Sequence, residues 1–184
     1  MPLKTLVKVG SLTNLSDARY CAGMDVQLLG FQAIAGRPGH ITAVRYQEIR
    51  GWISGPSIVA EVHGAQSRAQ VDEIVETYRP DYIELGLAEL AYASHVTLPM
   101  ILRVDSNETF DVKLQPAYVL VSSGDTRSFD SPRIIQVFSL HEAEVVLSLE
   151  DVGGIALLGS DEVSPGLKNY DTLAPILEML ETDN

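Results

Sequence analysis

Residues 57–85 read SIVAEVHGAQSRAQVDEIVETYRPDYIEL, and this stretch decides the fold. Two largely apolar runs, Ser57 to Val62 and Asp81 to Leu85, predict strands that are buried on both faces. Between them, the segment Ser67-Arg68-Ala69-Gln70 is a capping box ahead of apolar residues at helical spacing. A strand, a helix and a second strand in this order are typical of a parallel α/β sheet.

The same alternation extends outward over the whole chain of 184 residues. Six further strands are predicted, at Thr5 to Val9, Val26 to Phe31, Pro99 to Val104, Ala117 to Val121, Arg133 to Phe138 and Gly154 to Leu158. Helices are predicted after four N-capping positions and near the C-terminus, namely after Thr13 or Asn14, Thr42, Ser67 and Ser139 and over Leu173 to Leu180. No linker divides the chain, so we predict one α/β domain, residues 1–184, built as a (βα)8 barrel.

Two of the connections are too short for a full crossover helix. Residues 105–116 leave room for one helical turn, and residues 122–132 have no helical period. An eight-stranded barrel typically has about 250 residues. We therefore predict a shortened barrel whose fifth and sixth helices are clipped or missing. Bare strands there would expose an unusually large apolar surface, so we expect a homodimer or a long loop that folds over this side.

Composition and charge exclude several classes of function. Asp and Glu number 25 against 13 Lys and Arg, and no basic cluster occurs, so nucleic acid and anionic membranes are excluded as partners. No apolar run reaches the roughly 20 residues of a membrane span, and nothing marks export, so we expect a cytoplasmic protein. The single cysteine, Cys21, predicts a buried, inert thiol. The four histidines lack metal-ligand spacing, and we predict neither a metal nor a cofactor.

Several motifs resemble those of phosphoribosylanthranilate isomerase, in the same order along the chain. Lys8 to Thr13 is similar to the family's Lys-Ile/Val-Cys-Gly-x-Thr, and Asp81 to Gly86 is similar to its Asp-x-Val/Ile-Gln-Leu-His-Gly. Glu162 to Asn169 resembles its Glu-x-Ser-Pro-Gly-x-Lys-Asp. Further family positions match at Asp17-Ala18, Gly30-Phe31, Arg103 and Phe129-Asp130. The resemblance implies a barrel that carries out an Amadori isomerisation of N-(5'-phosphoribosyl)anthranilate in tryptophan biosynthesis.

The chain departs from that family at both reacting positions. The resemblance implies a catalytic Cys in the first motif and a catalytic Asp at the end of the sixth strand, acting as base and acid. Gly10 and Ser122 stand at these positions. We therefore expect the family reaction to be impaired, and we expect a small gain from Gly10→Cys with Ser122→Asp if the scaffold has kept its geometry.

The phosphate site that the resemblance implies is altered as well. The family's seventh strand ends in Gly-Gly, which becomes Phe138-Ser139 here in an alignment without gaps. We predict that the site is filled or weakened by the Phe138 ring. In the other interpretation the ring turns outward, and the amides of Ser139, Gly159 and Ser160 remain ligand-binding donors.

Polar residues just past the strands are the remaining candidates, because active sites of such barrels lie at the C-terminal ends of the strands. His63, Asp105 and Asp125 are the candidate catalytic residues. His63 is otherwise a loop histidine with a satisfied hydrogen bond, and Asp125 a turn residue. Arg103 is a candidate fork for a carboxylate or phosphate, or else pairs with Asp105 or Glu84 inside the barrel.

Two functions fit these residues. One is an isomerase-like enzyme with altered sugar-phosphate chemistry, acting on a small phosphorylated or carboxylate ligand through His63, Asp105 or Asp125. The other is a non-catalytic binding or interaction protein that uses the barrel as a scaffold, as a homodimer. The fold does not decide between them, because function depends on the residues of the site.

Overall fold

Eight parallel strands close into a barrel in sequence order in the computed structural model, which describes residues 2–110, 114–159, 162–164, 167–168 and 173–182. The strands are β1 (Leu6–Gly10), β2 (Leu28–Gln32), β3 (Ser57–Glu61), β4 (Tyr82–Gly86), β5 (Met100–Arg103), β6 (Tyr118–Ser122), β7 (Arg133–Gln136) and β8 (Val152–Leu158). A small antiparallel pair follows, β9 (Glu162–Ser164) and β10 (Leu167–Lys168). The predicted (βα)8 barrel is confirmed, and the ends of its eight strands lie within two residues of the predicted ones.

Six helices occur in the described residues, and four of them begin where their capping residues predict. They are α1 (Leu15–Gly23), α2 (Ala43–Arg50), α3 (Arg68–Tyr78), α4 (Leu90–Ala93, after a 3₁₀ turn at Leu87–Glu89), α5 (Leu140–Leu147) and α6 (Leu173–Leu180). In four of them the N-cap side chain accepts a hydrogen bond from the backbone N–H three residues later, and these N-caps are Asn14, Thr42, Ser67 and Ser139. None of the helices in the described ranges is long and apolar enough to span a membrane.

The barrel interior combines an apolar layer with charged side chains nearer the mouth. Alternate residues of each strand point inward, and the inner apolar cluster consists of Leu28, Val59, Ile101, Leu120, Ile134 and Ala156. Glu61 lies two residues beyond Val59 on β3, and Glu84 is its partner on β4. Both side chains are buried. The C-terminal ends of the strands therefore hold the polar part of the interior, as barrel sites require.

Loops replace the helices that should follow β5 and β6. No helix occurs there in the described residues 104–110, 114–117 and 123–132, so the predicted loss of the fifth and sixth helices is confirmed. The outward side chains of these strands, such as Leu102, Val119 and Val121, are nevertheless buried, and Phe110, Leu114 and Phe129 pack against the apolar cluster to which they belong. The rings of Phe110 and Phe129 stack with centroids 5.8 Å apart. The loop alternative thus covers this face, while the homodimer stays a prediction.

We expect Phe129→Ala to lower the free energy of unfolding by roughly 2–4 kcal/mol, because it removes half of the stack that covers the barrel. Phe138→Ala is the matched control, since that ring is 58% exposed and its loss should cost less than about 0.5 kcal/mol. Urea unfolding of both variants measures the difference. Equal effects would show that the stack does not cover the core.

Candidate functional site

A buried lysine between two carboxylates occupies the centre of the barrel. Lys8 Nζ lies 2.8 Å from Glu61 Oε1 and 2.6 Å from Glu84 Oε2, and the three side chains are at most 5% exposed. Charges with so little access to water are stable only when they are paired and hydrogen-bonded. These three residues, with His63 and Arg103, form what we call the interior charge cluster.

Glu84 connects the buried part of this cluster to the barrel mouth. Its second oxygen, Oε1, lies 2.9 Å from His63 Nε2 and 3.3 Å from Arg103 Nη2. The Glu84 side chain has no exposed surface, whereas those of His63 and Arg103 are 19% and 38% exposed. Of the two predicted ion-pair partners of Arg103, the structure therefore selects Glu84.

The charges inside the cluster fix its protonation. Burial acts to raise the pKa of Glu84, but Lys8, His63 and Arg103 outweigh it and hold that pKa well below its usual range. Burial acts to lower the pKa of Lys8, and the two carboxylates reverse this and raise it. Because Glu84 stays ionised at neutral pH, it only accepts hydrogen bonds. A neutral His63 must then donate through Nε2, which leaves Nδ1 as an acceptor.

Two glycines make room for the Glu61 carboxylate. A Cβ on Gly10 would lie 2.6 Å from Glu61 Oε1 and 2.7 Å from Lys8 Nζ, and one on Gly30 would lie 2.2 Å from Glu61 Oε1. Ser11 supports the same carboxylate with its backbone N–H, 3.2 Å from each oxygen. The space into which a residue-10 side chain would project is therefore filled. A gain from Gly10→Cys would therefore require the ends of the Glu61 and Lys8 side chains to move.

Asp125 is held by an arginine rather than by the interior charge cluster. Its carboxylate accepts hydrogen bonds from the backbone N–H and Nε of Arg127, at 2.9 and 3.0 Å. These hydrogen bonds lower the pKa of Asp125, so it is ionised at neutral pH. Arg127 also donates to the carbonyl oxygens of Asp105 and Glu108 and thereby ties the two helix-free connections together.

Of the three candidate catalytic residues, only His63 lies in the interior charge cluster. Asp105 is exposed, and its backbone N–H donates to Glu108 Oε2 at 2.9 Å. Asp125 is buried but engaged with Arg127. His63 and Arg103 thus contact the same Glu84 oxygen, whereas in the described residues Asp105 hydrogen-bonds Glu108 and the Asp125 carboxylate hydrogen-bonds Arg127.

One of the backbone amides predicted to bind an anion, that of Gly159, is hydrogen-bonded within the chain. Gly159 N donates to the carbonyl oxygen of Gly10 at 2.8 Å. Phe138 N donates to Glu142 Oε2 at 2.7 Å, and the Ser139 hydroxyl caps Glu142 N. A carboxylate of the chain therefore stands at the N-terminus of α5, where the helix dipole favours an anion.

The Phe138 ring itself does not fill a closed space, because it is 58% exposed. The ring lies open at the barrel mouth, two residues beyond the buried Gln136 at the end of β7, and the filling of the phosphate position by this ring stays a prediction. The alternative prediction is that the amides of Ser139, Gly159 and Ser160 remain free to bind a ligand. The Gly159 amide is not free, because it donates a hydrogen bond to the carbonyl oxygen of Gly10. Ser160 lies outside the described residues.

Sequence reasoning missed Lys8 and Glu61 as parts of one site. The available signal was a charged residue at an inward position of an otherwise apolar strand, in β1 and again in β3. Cys21, by contrast, behaves as predicted, because it is buried and desolvation raises the pKa of its thiol to about 12. No group of potential metal ligands occurs among the described residues.

Solved structures with the same fold are phosphoribosylanthranilate isomerases. The Thermus thermophilus protein superposes with a TM-score of 0.77 at 18% identity, covering 96% of this chain and 98% of that chain. TrpF from Jonesia denitrificans gives 0.74 at 14%, covering 95% of each chain. A complex of phosphoribosylanthranilate isomerase with reduced 1-(o-carboxyphenylamino)-1-deoxyribulose 5-phosphate gives 0.72 at 12%, covering 95% and 97%.

No family model and no curated protein sequence matches the chain. At these identities the structural likeness shows the fold. The resemblance predicted from the motifs is confirmed at that level, and this chain has the fold of a phosphoribosylanthranilate isomerase.

We expect Gly10→Ala to lower the free energy of unfolding by roughly 1–3 kcal/mol, because its Cβ would force Glu61 away from Lys8. Gly23→Ala is the matched control, since a Cβ there meets nothing within 4 Å. That variant should be neutral or slightly stabilised, because alanine favours helix. Chemical denaturation of the two variants checks this, and an unaffected Gly10→Ala would mean that the carboxylate moves freely.

Lys8→Met should destabilise the protein by roughly 3–5 kcal/mol at pH 7, because two buried carboxylates lose their shared cation. The depressed pKa of Glu84 means that its contribution is complete above the unfolded value of 4.5 and is lost as the pH falls further. The difference between wild type and variant should therefore shrink towards pH 3 in denaturant titrations. A constant difference would contradict the assigned pairing.

Proposed function

We propose that this chain is a phosphoribosylanthranilate isomerase-like barrel that has lost the family's Amadori isomerisation and binds a small anionic molecule at the barrel mouth. The observation that carries the proposal is the Glu61 carboxylate, which lies over Gly10 and is paired with Lys8. The position of the family's base holds no side chain that takes up a proton, and the space for one is filled.

The acid side of the reaction is absent from its family position as well. Ser122 ends β6 and is exposed at the mouth, and a hydroxyl is too weak an acid to protonate a ring oxygen at neutral pH. Glu84 is ionised and accepts hydrogen bonds only. An Amadori rearrangement needs a base and an acid on opposite sides of the substrate, and neither is in place.

Binding of an anion is supported by the two partly exposed groups of the interior charge cluster. Arg103 and His63 both contact Glu84 and reach the mouth of the barrel. The ligand of the similar complex carries a carboxylate and a phosphate. A barrel of this fold therefore accommodates anionic groups, and here Arg103 is the cation positioned to meet one.

A second candidate function is altered proton transfer by His63. The 2.9 Å contact of His63 Nε2 with Glu84 orients the imidazole, as a carboxylate does for a catalytic histidine. Turnover of a sugar phosphate that is abolished by His63→Gln would favour this candidate over binding alone.

The purified chain is expected to leave N-(5'-phosphoribosyl)anthranilate unconsumed and not to complement a tryptophan auxotroph that lacks the isomerase. Gly10→Cys with Ser122→Asp should give no gain, because a side chain at residue 10 would have to displace the ends of the Glu61 and Lys8 side chains. The Thermus thermophilus enzyme serves as the positive control in the same assay. Measurable turnover by the wild-type chain would overturn the loss of the family reaction.

A further inference from the structure

The barrel mouth has a charged half and an apolar half. The strands follow one another in sequence order around the barrel, so β3 to β5 lie across the mouth from β7 and β8. Glu84, Arg103 and His63 belong to the first side. The large side chains at the second side are Leu158 and Phe138, which are 46% and 58% exposed.

The charged half presents a fork suited to a carboxylate. His63 Nε2 and Arg103 Nη2 converge on the same oxygen, Glu84 Oε1, so the two side chains are neighbours at the rim. Within the described residues, that oxygen is the hydrogen-bond partner of Arg103, and the rest of its planar guanidinium remains for a ligand. Paired guanidinium N–H groups match the two oxygens of a carboxylate.

The charge balance of the cluster favours a monoanion. Apart from His63, the cluster consists of two cations, Lys8 and Arg103, and two carboxylates, Glu61 and Glu84, so these four side chains together carry no net positive charge. A phosphate dianion needs several donors or cations, and two nearby amides of the described residues are already engaged. Gly159 N is bonded within the chain, and Phe138 N is bonded to a carboxylate.

The opposite half offers apolar surface instead of donors. Leu158 is the next inward position of β8 after Ala156, which belongs to the inner apolar cluster. Phe138 follows the buried Gln136 by two residues and is likewise open. An apolar group placed against these side chains would remove them from water, which is favourable.

We propose that the mouth binds a monoanionic organic carboxylate with an apolar body, its carboxylate on Arg103 beside His63 and its body against Leu158 and Phe138. The inference rests on the proposed function, which places a small anion at this mouth. A sugar phosphate would place its anionic end at β7 and β8. The proposed ligand places its anionic end on the opposite side of the mouth, at Arg103.

Titrations of the ¹⁵N-labelled full chain, followed by NMR, test this with benzoate, acetate, inorganic phosphate and ribose 5-phosphate. We expect benzoate to bind at least tenfold more tightly than the other three, with shifts at His63, Arg103 and Leu158. Arg103→Gln should weaken benzoate at least tenfold. Leu158→Ser should weaken benzoate severalfold and leave acetate unchanged, because acetate has no body to contact residue 158.

Two remote variants serve as controls. Arg45→Gln removes an exposed arginine on α2 that pairs with Glu48, and Val145→Ser removes a 48% exposed apolar side chain on α5. Both should leave benzoate binding unchanged. If Arg103→Gln does not fold, Arg103→Lys keeps the charge without the fork and should still lose most of the affinity.

The outcomes separate the two proposals. Absence of benzoate binding, or binding that is insensitive to both Arg103 and Leu158 substitutions, overturns this inference. A mouth that prefers phosphate or ribose 5-phosphate, without turnover of N-(5'-phosphoribosyl)anthranilate, overturns it while leaving the proposed function standing. Turnover of that compound overturns the proposed function itself.

Discussion

The ammonium group of Lys8, held between two carboxylates inside a closed barrel, is the constraint on which the rest of the site depends. Its burial is tolerable only because Glu61 and Glu84 both reach it, and Glu61 reaches it only because Gly10 and Gly30 have no side chains. A change at any of these five positions leaves a buried charge without its partner. They therefore behave as one unit, although they come from four different strands.

The two helix-free connections, after β5 and after β6, contact the barrel on its outer surface. Where two crossover helices are missing, the Phe110 and Phe129 rings cover the strands, and Arg127 joins the connections through Asp125 and backbone carbonyls. These contacts lie outside β5 and β6, while the pairing of β5 with β4 places Arg103 at the mouth beside Glu84. The loops thus replace the helices in covering the core, and the Asp125 carboxylate is engaged in that role.

Local features of the sequence predicted the elements well, and features that depend on pairing across strands were not predictable. Continuous apolar runs and capping residues such as Ser67 act over a few residues, so they can be recognised in one sequence. Lys8 and Glu61 are 53 residues apart, and their contact depends on the register of β1, β2 and β3. The hydrogen bond from Phe138 N to Glu142 is a local feature too, because a capping box that begins at Ser139 places the Glu142 carboxylate near the first amides of its helix.

Two carboxylates of the chain occupy positions to which the family resemblance assigns other groups. One is the position of the reacting base, and the other is the position of a bound anion. Glu61 occupies the space over Gly10, and Glu142 accepts a hydrogen bond from the backbone N–H of Phe138 at the start of α5. In an enzyme, the groups that bind the substrate lack hydrogen-bond partners until the substrate arrives. The free enzyme is less stable for this reason, and the substrate gains these hydrogen bonds when it binds. Here the partners are intramolecular and permanently present, so binding a substrate there would first require breaking native contacts. Arg103 and His63 also contact a carboxylate, Glu84, but their side chains are 38% and 19% exposed, so part of each stays open at the barrel mouth.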